Sequence, residues 1–211
     1  MDVHPPNRPI HTWKDFFLHL LTITIGLFIA LTLEAAVQSM HHRHQVRDAR
    51  AALRREITSN QTLYAENAAR LKTNRAQLAR DIDVLRDLRD NKKPDQPRLS
   101  WGWEWNSYEG TAWRTARDSG AVSYMDPGVI SKYADIYLQQ DFINTTMVGI
   151  GNEESRVGAA LEVATDPAKL LPAEIEAMLI KSAEIDESII TIQLLMTPLE
   201  EMYNNALKQD R

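Results

Sequence analysis

The longest apolar stretch of the chain lies near its N-terminus, Phe16 to Val37, FFLHLLTITIGLFIALTLEAAV. Between Phe16 and Leu33 the one strongly polar side chain is His19, with Thr22, Thr24 and Thr32 as mild interruptions. About 18 residues at 1.5 Å per residue make about 27 Å of helix, close to the hydrocarbon thickness of a bilayer. Nothing on the stretch reads as a water-facing side, so the pattern predicts a membrane span in preference to a core helix. A secretory signal is the competing reading. The run outlasts the usual apolar region of about 7–15 residues, and Leu33-Glu34-Ala35-Ala36 is a poor cleavage site, which favours an uncleaved anchor. Residues 1–12, with Pro5, Pro6 and Pro9, predict an extended tail. Trp13 and Lys14 stand where an interfacial aromatic and a snorkelling cation belong, so 13–40 is expected to hold the span and its flanks.

Beyond the span the pattern changes to a helical period, and 41–211 is expected to form a helical domain. From Gln38 to Asp90 there is no Gly or Pro, and Ala, Leu, Arg, Glu and Gln dominate. This predicts a long helix over 41–90, continuous with the span because no breaker intervenes. Ile57, Tyr64, Leu71, Leu78 and Leu85 recur every seven residues. A second series of the same period, Val46, Leu53, Asn60, Asn67, Asn74, Asp81 and Leu88, turns polar in mid-helix. Two readings stay open: a narrow-striped surface helix of a bundle, or a coiled coil whose buried Asn residues fix register.

Asn91 to Pro97, NKKPDQP, is a loop. Over 99–120 an aromatic group follows: Trp101, Trp103, Trp105, Tyr108 and Trp113. The Trp-x-Trp-x-Trp alternation suits a strand, but no second strand is evident to pair with it. It is expected to be an irregular cap on one end of the bundle, followed by a short helix from Thr111 to Ser119 that Gly120 terminates. Asp126-Pro127 is an N-cap followed by Pro at the first helical position, opening a helix over 127–163. Its stripe runs Val129, Tyr133, Ile136, Ile143, Met147, Ile150, Val157 and Leu161, with Gly149 and Gly151 as places to bend. A last helix over 172–207 carries Ile175, Met178, Ile185, Ile189, Ile192, Met196, Leu199 and Tyr203 on one face, with Pro198 inside it. The fold class is therefore all-α: one N-terminal transmembrane helix continuing into an up-and-down antiparallel bundle.

The chain has 211 residues, with 24 Lys+Arg against 29 Asp+Glu and a net charge of −5. That balance argues against a nucleic-acid partner. The absence of Cys excludes disulfides, thiolate catalysis and Cys-based zinc sites. His41, His42 and His44 beside Arg43 and Arg47 are the most metal-like local feature, yet no carboxylate stands at a metalloprotease spacing. They read better as a cationic belt at the lipid headgroups. A di-iron bundle needs Glu-x-x-His motifs, and no His follows His44. No phosphate loop, nucleophile elbow or kinase motif occurs. No enzyme and no cofactor is expected.

Within the span, Gly26-x-x-x-Ala30 is a small-residue pair that lets two helices approach, with Glu34 one turn on and His19 two turns back on the same face. Glu34 reads either as a functional intramembrane carboxylate or as the residue that marks the end of the hydrocarbon. The aromatic group reads either as a structural plug, which is preferred, or as a patch for a partner.

ITIGLFIALTLEAAV, followed by a basic helix containing ALRREITSN, resembles a group of bacterial membrane proteins of unknown function with an "IG-x-x-IAL" span and an "EI-x-x-N" helix. TAWRTARDSGAVSYMDPGVISKYADIYLQQ is similar to their second hallmark, a Trp, an "SG-x-(L/V)" turn and an aromatic-containing helix after an Asp. Tyr137-Leu138 stands where a paired Tyr is common in that group, and Ala where some members carry a large residue before the turn. The resemblance implies architecture alone, a membrane-anchored helical domain in a bacterial inner membrane. The expected function is non-enzymatic: a scaffold, self-association or partner-docking module whose partners are the bilayer and either a second copy or another membrane protein. The alternative is a membrane-anchored sensor with a ligand-binding bundle. More cations follow the span than precede it, which leans the helical domain toward the cytoplasm.

Overall fold

Helix α1 runs from Trp13 to Arg89 without a break, as expected for a stretch free of Pro and with one Gly. The computed structural model describes residues 13–95, 98–100, 102–164 and 166–209, with side chains except at 160–164, 168 and 209. The expected tail over 1–12, Trp101 and the Leu161 side chain lie outside the described residues. Two compact units divide the chain, Met1–Asp48 and Ala49–Arg211.

In the first unit, α1 contains an 18-residue window of mean hydropathy 2.3, none of it buried. By length and composition this helix can cross a membrane. Its polar side chains bond within their own helix. The Thr22 and Thr24 hydroxyls donate to the Leu18 and Leu20 carbonyls at 2.8 Å, and Thr32 donates to Ile29 at 2.9 Å. His19 Nδ1 donates to the Asp15 carbonyl at 2.9 Å, and Gln38 donates to the Glu34 carboxylate at 3.3 Å. Such pairing is what a lipid-exposed helix needs, since no water is at hand to satisfy a polar group. Trp13, Phe16 and Phe17 form an aromatic cluster at its start, with ring centroids 5.5–5.8 Å apart.

The second unit is all-α among the described residues: the rest of α1, α2 (Thr111–Asp118), α3 (Pro127–Ala164) and α4 (Pro172–Gln209). The heptad series Ile57, Leu71, Leu78 and Leu85 is buried, with Tyr64 half-buried. The predicted stripes of α3 and α4 meet it. Ile136, Ile143, Met147 and Ile150 are buried on α3, and Ile185, Ile189, Ile192 and Leu199 on α4. At one end Leu85, Val157, Leu170, Ile175 and Met178 close a common cluster. Side chains this deeply covered contribute about 1.5–3 kcal/mol each, and they hold the three long helices together. Helix α3 continues through Gly149 and Gly151, and α4 carries Pro198 on its exposed side.

Helix directions follow from the cross-links. Arg54 donates to the Leu207 carbonyl and Arg75 pairs with Asp186, so α1 and α4 run antiparallel. Gln139 bonds the Leu195 carbonyl and Lys181 lies 3.5 Å from Glu153, so α3 and α4 are antiparallel as well. Tyr137 reaches Glu56 and Val157 packs with Leu85, so α1 and α3 run parallel. The return leg between those two is residues 98–100 and 102–110, which are not helical. The up-and-down alternation is kept, with extended chain as its second leg.

Candidate functional site

The aromatic segment was expected to cap one end of the bundle. It lies instead along α1, held by a ladder of side chains at seven-residue spacing. Asn60 Nδ2 donates to the Glu109 carbonyl at 2.8 Å, and the Glu109 N–H donates back to Asn60 Oδ1 at 2.9 Å. Asn67 makes the same two-way bond with Asn106, at 2.7 and 3.1 Å. Asn74 donates to the Glu104 carbonyl at 3.1 Å, and Asp81 accepts the Ser100 N–H at 3.1 Å. From the far side, Asn144 on α3 bonds both the N–H and the carbonyl of Tyr108, each at 3.0 Å.

The spacing has a simple cause. Seven residues of helix rise about 10.5 Å, which is about three residues of extended chain. The span from Asn60 to Asp81 is about 31 Å of helix, and the nine steps from Ser100 to Glu109 cover about 30 Å when extended. The partners of successive ladder residues fall three, two and four positions apart, so the two repeats match over the segment as a whole. A carboxamide offers both a donor and an acceptor, as a neighbouring strand does, so Asn60 and Asn67 satisfy the backbone of Glu109 and Asn106 without a second strand. The Asn positions therefore meet backbone, not a coiled-coil partner helix. Asn60 and Asn67 are fully buried.

One turn before the ladder, Glu56 performs the related task for α2. Its carboxylate accepts the Ala112 N–H at 2.7 Å and the Tyr137 hydroxyl at 2.8 Å. Gly110, the residue before α2, supplies no side-chain cap, so a carboxylate from α1 takes that role where the helix dipole favours negative charge. Burial and the adjacent Glu56 carboxylate both push the Tyr137 phenol well above its ordinary value. Neither Glu56 nor Asn144 was singled out in the sequence, because their partners lie on elements distant in the chain.

The described indoles of the segment, Trp103, Trp105 and Trp113, line or pack in different places. Trp105 meets Tyr108 edge-on at 5.8 Å, and Trp113 stacks on Tyr137 at 5.5 Å with rings 3° from parallel. Those rings pack against other side chains of the helical unit, along the bundle and not at its end. Trp103 lines an open groove of about 770 Å³ with Arg70, Asn74 and Glu104. Tyr108 and Trp113 line a separate cavity of about 590 Å³ with Arg114, Arg117 and Asp141. The Arg117 guanidinium lies 5.8 Å from the Trp113 ring centre.

The remaining sequence candidates belong to the first unit. Gly26, Ala30 and Glu34 are exposed, and a Cβ on Gly26 would meet nothing within 4 Å. Trp13 and Lys14 are exposed at the helix start, and His41, Arg43, His44 and Arg47 are exposed beyond the apolar run. The His41 and His42 rings are 6.3 Å apart, and Arg47 pairs with Asp48 at 3.3 Å. Among the described residues no group of three or more His, Cys, Asp or Glu could hold a metal ion.

No family model, curated protein or solved structure matches this chain.

Proposed function

We propose that this chain is a single-pass protein of a bacterial inner membrane whose helical unit is a non-enzymatic docking or self-association module. The observation that carries the reading is the wholly unburied apolar window of α1 in a chain whose second unit closes its own core. An exposed run of that length has no place in water, because a soluble protein seldom leaves so large an apolar surface uncovered. Internal satisfaction of Thr22, Thr24, Thr32 and His19 fits the same environment. Arg43, Arg47, Arg50, Arg54 and Arg55 after the run, against Arg8 and Lys14 before it, lean the helical unit toward the cytoplasmic side. The grooves beside Trp103 and Trp113 are where a protein partner would dock.

Membrane fractionation tests the anchor. The full chain is expected in the membrane fraction after an alkaline carbonate wash, and the pair Leu27→Arg with Ile29→Arg is expected to release it. Wild-type protein that washes into the supernatant refutes the anchor. A C-terminal reporter active only after export would place the helical unit on the other side.

The second reading, a ligand-binding sensor, is favoured by one observation, the cavity of about 590 Å³ with the Arg117 and Trp113 pair at its wall. That volume lies within the range of small-molecule sites.

A further inference from the structure

The folded unit contains a third, smaller cavity of about 300 Å³, lined in part by Arg50, Asp126, Gly128, Lys132 and Tyr133. Arg50 lines it as a half-buried side chain, and its Nε is buried with no hydrogen-bond partner among the described residues. A guanidinium has donors and no acceptor, so a buried N–H on it with no acceptor among the described residues calls for an anionic or carbonyl oxygen. Lys132 adds a second cation from α3, and it is exposed. Neither Arg50 nor Lys132 belongs to an ion pair among the described residues. The one carboxylate among the residues that line the cavity, Asp126, caps α3. Its Oδ1 accepts the N–H groups of Gly128 at 2.8 Å and Val129 at 3.3 Å, as the N-cap of α3. A Cβ on Gly128 would stand 3.1 Å from that same oxygen.

We propose that this cavity binds a phosphate group, held by the Arg50 guanidinium and the Lys132 ammonium. The planar fork of Arg matches two oxygens of a phosphate, and the ammonium adds a point charge. Phosphate chemistry has two sources here, a phospholipid headgroup or a free phosphate, and the site recognises what they share. The proposal does not require the chain to be membrane-anchored, because the site lies wholly within the unit Ala49–Arg211.

The test is calorimetric titration of the full chain, purified in an uncharged detergent, with three probes. They are inorganic phosphate, a short-chain phosphatidylglycerol and a short-chain phosphatidylcholine, whose phosphate is masked by a choline. Saturable binding of either of the first two supports the site. Binding of the phosphatidylglycerol alone identifies a headgroup as the source, and tighter binding of inorganic phosphate identifies a free anion. Arg50→Gln is expected to weaken binding roughly tenfold or more, and Lys132→Ala by about threefold, each a readable change in Kd. Arg50→Lys, which keeps the charge and loses the fork, is expected to fall between Arg50→Gln and wild type. Lys132 is exposed, so Lys132→Ala remains informative even where a change at Arg50 disturbs folding, which the thermal midpoint reports. No saturable binding of either anionic probe, or equal binding by wild type and all three variants, overturns the proposal.

Discussion

Asn67 and Asn106 bond each other twice across the interior of the helical unit, side-chain amide to backbone amide, at 2.7 and 3.1 Å. Both groups that Asn67 satisfies belong to a segment without strand neighbours, so their partners are not replaceable by water once the segment is packed. Asn67→Ala is expected to leave a backbone N–H and carbonyl unpaired and to cost roughly 2–4 kcal/mol. Asn60→Ala should behave alike. Asn74→Ala, at a half-buried site with a single bond, should cost about 1 kcal/mol. Urea unfolding of the three variants checks the order. Equal costs would mean that the ladder is not what holds the segment.

The pair Glu56 and Tyr137 should behave as one unit. Tyr137→Phe removes a hydrogen bond to a buried carboxylate and is expected to cost about 1.5–3 kcal/mol. Glu56→Gln in the Tyr137→Phe background should cost less than in the wild type, because part of what it removes is already gone. A double-mutant cycle on thermal or urea unfolding measures the difference, and strict additivity would contradict the shared site.

Stability should fall as pH rises through neutrality. Burial first, and the Asp81 carboxylate second, push Glu154 from 4.5 up to about 7. Burial also raises Asp81, against the opposing pull of the Ser100 N–H and Gln77. A carboxyl whose folded value is raised favours the folded state when protonated. Its contribution is whole below about pH 4.5 and is lost as pH climbs through about 7. Glu154 is half-buried, so solvent screening reduces the effect to the order of 1 kcal/mol. Unfolding curves at about pH 5.5 and about pH 8, below and above the raised value, should differ in the wild type and converge in Glu154→Gln. A wild type more stable at the higher pH would contradict the sign.

Gly120 adopts φ 75°, in the left-handed region, just after α2 ends at Asp118. A Cβ there would meet no neighbour, so the cost of Gly120→Ala is conformational, about 1 kcal/mol. Gly26→Ile should leave the unfolding midpoint of the helical unit unchanged, since a Cβ at Gly26 would meet nothing within 4 Å beyond its own helix backbone. Reduced self-association of the span in a transmembrane assay would then assign Gly26 to close packing between copies.

Local pattern determined much of this protein. The apolar run of α1, the absence of breakers to Arg89, the Asp126-Pro127 start of α3 and the left-handed Gly120 depend on residues close together in the chain, so the sequence alone displays them. The stripes of α3 and α4 were legible for the same reason, because a helix repeats every 3.6 residues whatever it packs against. The tertiary structure decided what the Asn series faces. A polar position on a heptad is compatible with a helix partner, with water or with extended backbone, and the choice depends on residues 19–49 positions away along the chain. Glu56 illustrates the same limit: an acidic residue in a charged helix looks solvated until Ala112 and Tyr137 are brought to it. Sequence periodicity reports which residues share a face. Packing in three dimensions alone determines which donor stands opposite which acceptor, and a buried polar group is stable only once that is settled.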